Sequence, residues 1–116
     1  LVEDELSVRE QLTRLLDALG YTAVGVASAA EARQVLTTGS DHVDAVVSDV
    51  MMPGETGLEF ADWIHRAHPD LPLLLISGHT GTALDRAARQ SEDLVLLRKP
   101  FSATELDERL RELLAR

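Results

Sequence analysis

The stretch VVSDVMMPGETG, residues 46–57, decides how the rest of the chain is read. A strand-forming run ends on one carboxylate, Asp49, and Pro53-Gly54 turns the chain soon afterwards. Thr56 then stands three residues ahead of Glu59, the capping-box spacing that opens a helix, and Phe60, Ala61 and Ile64 supply its apolar stripe. The order is strand, turn, helix, so the carboxylate lies at the carboxyl end of a strand. A lone aspartate there is ordinarily a solvated strand end. Its partners decide whether it does chemistry.

Working outward, the same rhythm repeats. TAVGVA (22–27), DAVVS (44–48), LPLLLIS (71–77) and LVLLR (94–98) are short, nearly continuous apolar runs, as expected of strands covered on both faces. Leu1-Val2 reads as the stub of a further strand. Between them lie amphipathic stripes: Val8, Leu12, Leu15, Leu16 and Leu19; Ala32, Val35 and Leu36; Phe60, Ala61 and Ile64; Leu106, Leu110, Leu113 and Leu114. TALDRAARQ (82–90) is the weakest stripe. Ser7-x-x-Glu10, Ser28-x-x-Glu31 and Ser102-x-x-Glu105 repeat the capping box seen at Thr56, and Gly20 and Gly39 sit where helices end. Alternating strand and helix predicts an α/β domain, a doubly wound five-stranded parallel sheet spanning residues 1–116 as one unit. In such sheets ligands bind beyond the carboxyl ends of the strands.

Composition narrows the partners. The chain has 116 residues and a net charge of −9, from 20 acidic and 11 basic side chains. That balance argues against a nucleic-acid surface and against anionic membranes. No cysteine is present, so disulfides, thiolate metal sites and a cysteine nucleophile are excluded. No apolar run approaches a membrane span and no signal peptide is visible. A cytoplasmic setting is expected.

The strand ends then supply the chemistry. Glu3 and Asp4 follow the first stub, Asp49 the third strand, Ser77 the fourth and Lys99-Pro100 the fifth. All should converge on one edge of the sheet. Two carboxylates about 4 Å apart repel by roughly 4 kcal/mol at an effective dielectric near 20, so they ionise together only around a cation. An all-oxygen donor set with few side chains suits Mg²⁺; Ca²⁺ would want more protein oxygens and Zn²⁺ histidine or cysteine. The four histidines, at 42, 65, 68 and 79, have no ligand spacing. A metal beside a carboxylate, with a hydroxyl and an ammonium opposite, suits phosphoryl transfer with Asp49 as nucleophile. Lys99 is also the single lysine among ten arginines.

VEDE (2–5), DVMMPGETG (49–57), LLLISG (73–78) and LRKPF (97–101) together resemble the receiver domain of two-component response regulators, the chemotaxis receiver among them. The resemblance covers essentially the whole chain. It implies a flavodoxin-like (βα)5 fold with strand order 2-1-3-4-5, and a cis peptide between Lys99 and Pro100. It further implies that Asp49 accepts a phosphoryl group from a histidine kinase phosphohistidine or a phosphotransfer domain. Mg²⁺ would be held directly by Asp4 and Asp49, through water by Glu3, and by the Met51 backbone carbonyl. Ser77 and Leu96 occupy the switch positions, the latter where the family usually carries an aromatic ring. The resemblance also implies a longer first strand than Leu1-Val2, which is expected to be cut short at its N-terminus. A homodimer through the face of the fourth helix, fifth strand and fifth helix is a further expectation.

The domain itself is then a signalling switch with limited catalytic power. Three rivals remain: the receiver of a hybrid sensor histidine kinase acting as relay or sink, a flavin-binding module, and a degenerate receiver that only binds. The acidic EDELS (3–7) disfavours a flavin phosphate loop, and the retained acid pair, Ser77 and Lys99 disfavour degeneracy. Trp63 is expected to be partial core, Met51 and Met52 loop or partly buried filler, His79 an exposed loop residue near the cleft, and Arg86 and Arg89 a solvated face.

Overall fold

Among the described residues three parallel strands form the sheet: β1 (Val46–Asp49), β2 (Leu73–Ser77) and β3 (Val95–Arg98), in the order β1-β2-β3. The computed structural model describes residues 1–39, 42–78, 86–87 and 94–115. Within them lie α1 (Leu6–Ala18), α2 (Ala29–Thr38), α3 (Gly57–Ala67) and α4 (Ala103–Leu114). The register pairs Asp49 with Ile76 and Ser77 with Arg98, so the strands end nearly level.

The other two expected strands contribute single bridges, Val2 to Val26 and Val2 to Ser48, both parallel. Glu3 N–H donates to Val26 O at 3.0 Å and Val2 N–H to Val47 O at 2.8 Å. Two residues ahead of the acidic pair are too few for a ladder, which is why Val2 makes bridges and not a strand. An open cavity of about 450 Å³ lies beside Leu1, between Ala23–Val24 and Ala45–Val46.

Alternation along the strands splits the core in two. Val46, Leu73 and Leu75 face Ala29, Ala32, Phe60, Ala61 and Ile64, from α2 and α3. Val47, Leu74, Ile76 and Leu97 face Leu16, Leu106, Leu110 and Leu113, from α1 and α4. Helices therefore cover both faces, which is why the strand runs are continuously apolar. Trp63 is partly buried against the first core, as expected. Met52 is buried and Met51 exposed.

The helix starts follow the capping residues with one correction. Thr56 and Ser102 form complete capping boxes with Glu59 and Glu105. Ser28 accepts from Glu31 N–H, while the Glu31 carboxylate reaches back to Ala27 N–H. Ser7 does not cap: Glu5 is the N-cap residue of α1, and the Ser7 hydroxyl donates to the Glu5 carboxylate at 3.2 Å from inside the first turn. Gly39 ends α2 at φ +64°, and Gly20 follows α1 at φ +98°. Of the stripe expected over 82–90, Arg86 and Ala87 are helical; the remainder, with Arg89 and the expected loop residue His79, lies outside the described residues. No helix among the described residues is long and apolar enough to cross a membrane.

Candidate functional site

Backbone hydrogen bonds stitch the strand ends together. Asp49 N–H donates to Val2 O at 3.3 Å, Val50 N–H to Ile76 O at 3.0 Å, and Lys99 N–H to Ser77 O at 2.9 Å. Asp49, Ser77 and Lys99 are thus carried by backbone tied into the sheet, and the Lys99-Pro100 peptide is cis as expected.

Lys99 Nζ lies 3.3 Å from Asp49 Oδ2, with the aspartate side chain 13% exposed and the lysine 36%. Met51 N–H approaches Asp49 Oδ1 at 3.4 Å. On the other side stands Glu3, only 5% exposed. Burial pushes the Glu3 carboxyl up to about 7; the Asp49 charge and a hydrogen bond between the two side chains add to this, Lys99 opposes it, and Asp4 adds a smaller push. A raised value of this kind is what two carboxyl groups in one site produce: a proton or a cation must come between them. Asp4, the next residue, is exposed to solvent.

Ser77 is fully buried, and among the described residues its hydroxyl has no hydrogen-bond partner. An orphaned buried hydroxyl costs roughly 1–3 kcal/mol, so it marks a place where a ligand oxygen would be welcome. Leu96 is half-buried and packs on the first core. Among the described residues no three histidine or acidic side chains form a ready-made metal cage. One buried acid, one exposed acid and a strand-end aspartate are instead the sparse oxygen set that Mg²⁺ accepts, because it retains several waters. The donor chemistry therefore fits the ion.

Three features of the site left little trace in the sequence reading. Gly57 opens α3 against the Asp49–Val50 backbone, where its N–H donates to Val50 O at 2.8 Å. Arg33 reaches from α2 to pair with Glu55 in the loop after Asp49, and its guanidinium lies over the Trp63 ring at 4.9 Å. Arg9, from α1, donates to the Glu3 backbone carbonyl at 2.8 Å. Only Gly57 carried a signal, a glycine directly after an N-cap threonine.

Comparison with known proteins agrees with this geometry. The family described as response regulator receiver domain matches residues 1–111. The chain is 36% identical over 114 residues to the sensor kinase CckA of Brucella abortus, a match covering 98% of this chain and 12% of that protein. It is 36% identical over 116 residues to the response regulator MprA of Mycobacterium ulcerans, covering 100% of this chain and 49% of the relative. The chain thus spans half or less of these two relatives. The crystal structure of a response regulator receiver domain protein from Clostridium thermocellum superposes with a TM-score of 0.87 at 24% identity, over 99% of this chain and 91% of that one, a likeness of fold. Receiver domains typically bind Mg²⁺ at the phosphorylation site, and they interact with histidine kinases or phosphotransfer proteins. A match of this length on a sheet of this topology decides membership: the chain belongs to the response regulator receiver domains of two-component signalling.

Proposed function

We propose that this chain is a phosphoacceptor, taking a phosphoryl group onto Asp49 from the phosphohistidine of a histidine kinase or phosphotransfer domain. The observation that carries the reading is that Asp49 faces the Lys99 ammonium on one side and the Glu3 carboxyl on the other. An Asp49 oxygen attacks phosphorus in line. The N–P bond breaks, its electron pair returns to the imidazole nitrogen, which takes up a proton, and an acyl phosphate remains. The Lys99 ammonium balances charge on the transferred oxygens, and the buried Ser77 hydroxyl donates to one of them. Asp4 and Asp49 directly, the Met51 backbone carbonyl, and Glu3 through water are the groups that would hold Mg²⁺. When bound, the ion neutralises the phosphoryl oxygens and the acidic cluster together.

The five-stranded order 2-1-3-4-5 belongs to the same reading, supported by the bridges of Val2 to Val26 and Ser48 on either side. So do a cytoplasmic setting and a homodimer through the face of β3, α4 and the helix expected over 82–90. The likeness to a sensor kinase, of which this chain spans 12%, favours a second reading of the parent protein: a hybrid kinase in which this domain is a relay or sink.

Incubation with acetyl phosphate and Mg²⁺ should raise the intact mass by one phosphoryl group, and Asp49→Asn should abolish the rise. Unchanged labelling of the variant would remove Asp49 from its role.

A further inference from the structure

An arginine stands beside the acidic site and pairs with none of its carboxylates. Arg9 forms no ion pair among the described residues; its Nη1 goes to the Glu3 carbonyl oxygen at 2.8 Å. The stem reaches that point by crossing Gly25. A Cβ built on Gly25 would lie 3.1 Å from Arg9 Cγ and 3.2 Å from Cδ. Thr13 Oγ1 in turn donates to the Arg9 carbonyl at 2.7 Å, fixing the helical turn from which the side chain departs.

We infer that Arg9 is a positioning residue for the acidic pair: laid across Gly25, its guanidinium fixes the Glu3–Asp4 peptide and so sets where Asp4 and Glu3 present their oxygens. The Glu3 N–H is already held by Val26 O at 3.0 Å. Arg9 holds the carbonyl of the same residue, so Glu3 is anchored at both ends of its backbone and the peptide link to Asp4 is held through its oxygen. Asp4 is exposed and sits in a bend, outside both strand and helix, so little else orients it. Arginine suits the task because its planar fork is pre-organised and permanently charged. A charge-assisted bond to a carbonyl also leaves the nearby carboxylates free for a cation.

The inference rests on the proposed Mg²⁺-dependent phosphorylation, and the two are separable. Mg²⁺ affinity is measured by calorimetry, and acetyl phosphate labelling rates are measured across a Mg²⁺ series. The proteins are the unaltered chain, R9A, R9K, G25A and R9A/G25A. Outer-shell partners of metal ligands typically carry 10- to 100-fold in affinity. R9A is expected to weaken Mg²⁺ binding about 10-fold while leaving the labelling rate at saturating Mg²⁺ unchanged. R9K, which keeps a cation and a donor, should recover part of the loss. G25A should weaken Mg²⁺ binding in the presence of Arg9 and have no effect in the R9A background, where the stem it crowds is gone. A merely structural arginine would lower stability without this split between affinity and saturated rate. Should R9A fail to fold, R9K and G25A carry the same comparison. If the unaltered chain neither binds Mg²⁺ nor labels, the proposed function falls. If it does both and R9A or G25A binds Mg²⁺ within twofold of it, the role of Arg9 is overturned.

Discussion

Replacing Gly57 by alanine puts a methyl carbon 2.5 Å from the Asp49 carbonyl oxygen, 2.7 Å from Val50 Cα and 3.1 Å from the Val50 carbonyl oxygen. All three neighbours are backbone, so no side chain can rotate away. Ordinary contact needs about 3.5 Å, which requires the start of α3 and the end of β1 to separate by ~1 Å. The Gly57 N–H to Val50 O bond, at 2.8 Å, spans the gap that must open. Overpacking of this kind costs about 1–3 kcal/mol. Alanine's better helix propensity returns at most about 1 kcal/mol, and with three backbone contacts this short the overpacking cost lies toward its upper end, so Gly57→Ala should lose about 2 kcal/mol. For a 116-residue domain each kcal/mol moves Tm by about 4 °C. The displacement falls on Asp49, the proposed phosphoacceptor, so labelling by acetyl phosphate should slow even where the variant is fully folded. Urea denaturation followed by circular dichroism gives the stability, and intact mass against time gives the rate. A variant as stable as the unaltered chain, labelled at the same rate, would refute the reasoning.

Asp4→Asn should weaken Mg²⁺ binding far more than Glu3→Gln, since a charge that would touch the ion directly is lost in one case and a water-mediated contact in the other; equal losses in a metal titration would contradict that division. In the absence of metal, the Glu3 proton is bound more tightly folded than unfolded. Stability should therefore fall as pH rises from about 4.5 through about 7, with a slope no steeper than about 1.4 kcal/mol per pH unit. Glu3→Gln should flatten the curve, read by urea midpoints across that range, and an unchanged curve would rule Glu3 out as its source. With Leu96 in place of an aromatic ring, beryllofluoride should produce only small backbone amide shifts across residues 82–98 and α4; large shifts throughout would show a full switch.

The site's principal members were legible because each lies at a strand end, and a doubly wound sheet gathers strand ends whatever lies between them. Asp49, Ser77 and Lys99 needed only their order along the chain. The unequal burial of Glu3 and Asp4 was less legible, because successive residues leaving a strand point to opposite sides and the sequence does not say which side is the interior. Arg9, Arg33 and Gly57 were missed for another reason. Their roles depend on groups brought near by the fold, the Glu3 backbone, the Glu55 carboxylate and the Val50 backbone, and the glycine after the N-cap threonine is the only local trace of them. Ser7 was misplaced because Glu5, two residues earlier, takes the N-cap position, leaving the serine inside the helix. The run 22–27 was read as a full strand from its apolar residues, but its neighbour Leu1-Val2, read as a stub, supplies only one bridging residue, so Val26 makes a single bridge.

Lys99 carries a consequence for chemical modification. It is the single side-chain amine in a chain whose other ten cationic residues are arginines. A reagent that acylates side-chain amines therefore has one target, and that target is the ammonium 3.3 Å from Asp49. Acylation would convert it to a neutral amide and leave Glu3, Asp4 and Asp49 without their covalently attached counter-charge. One small adduct at this nitrogen can silence the domain while the core beneath it stays intact.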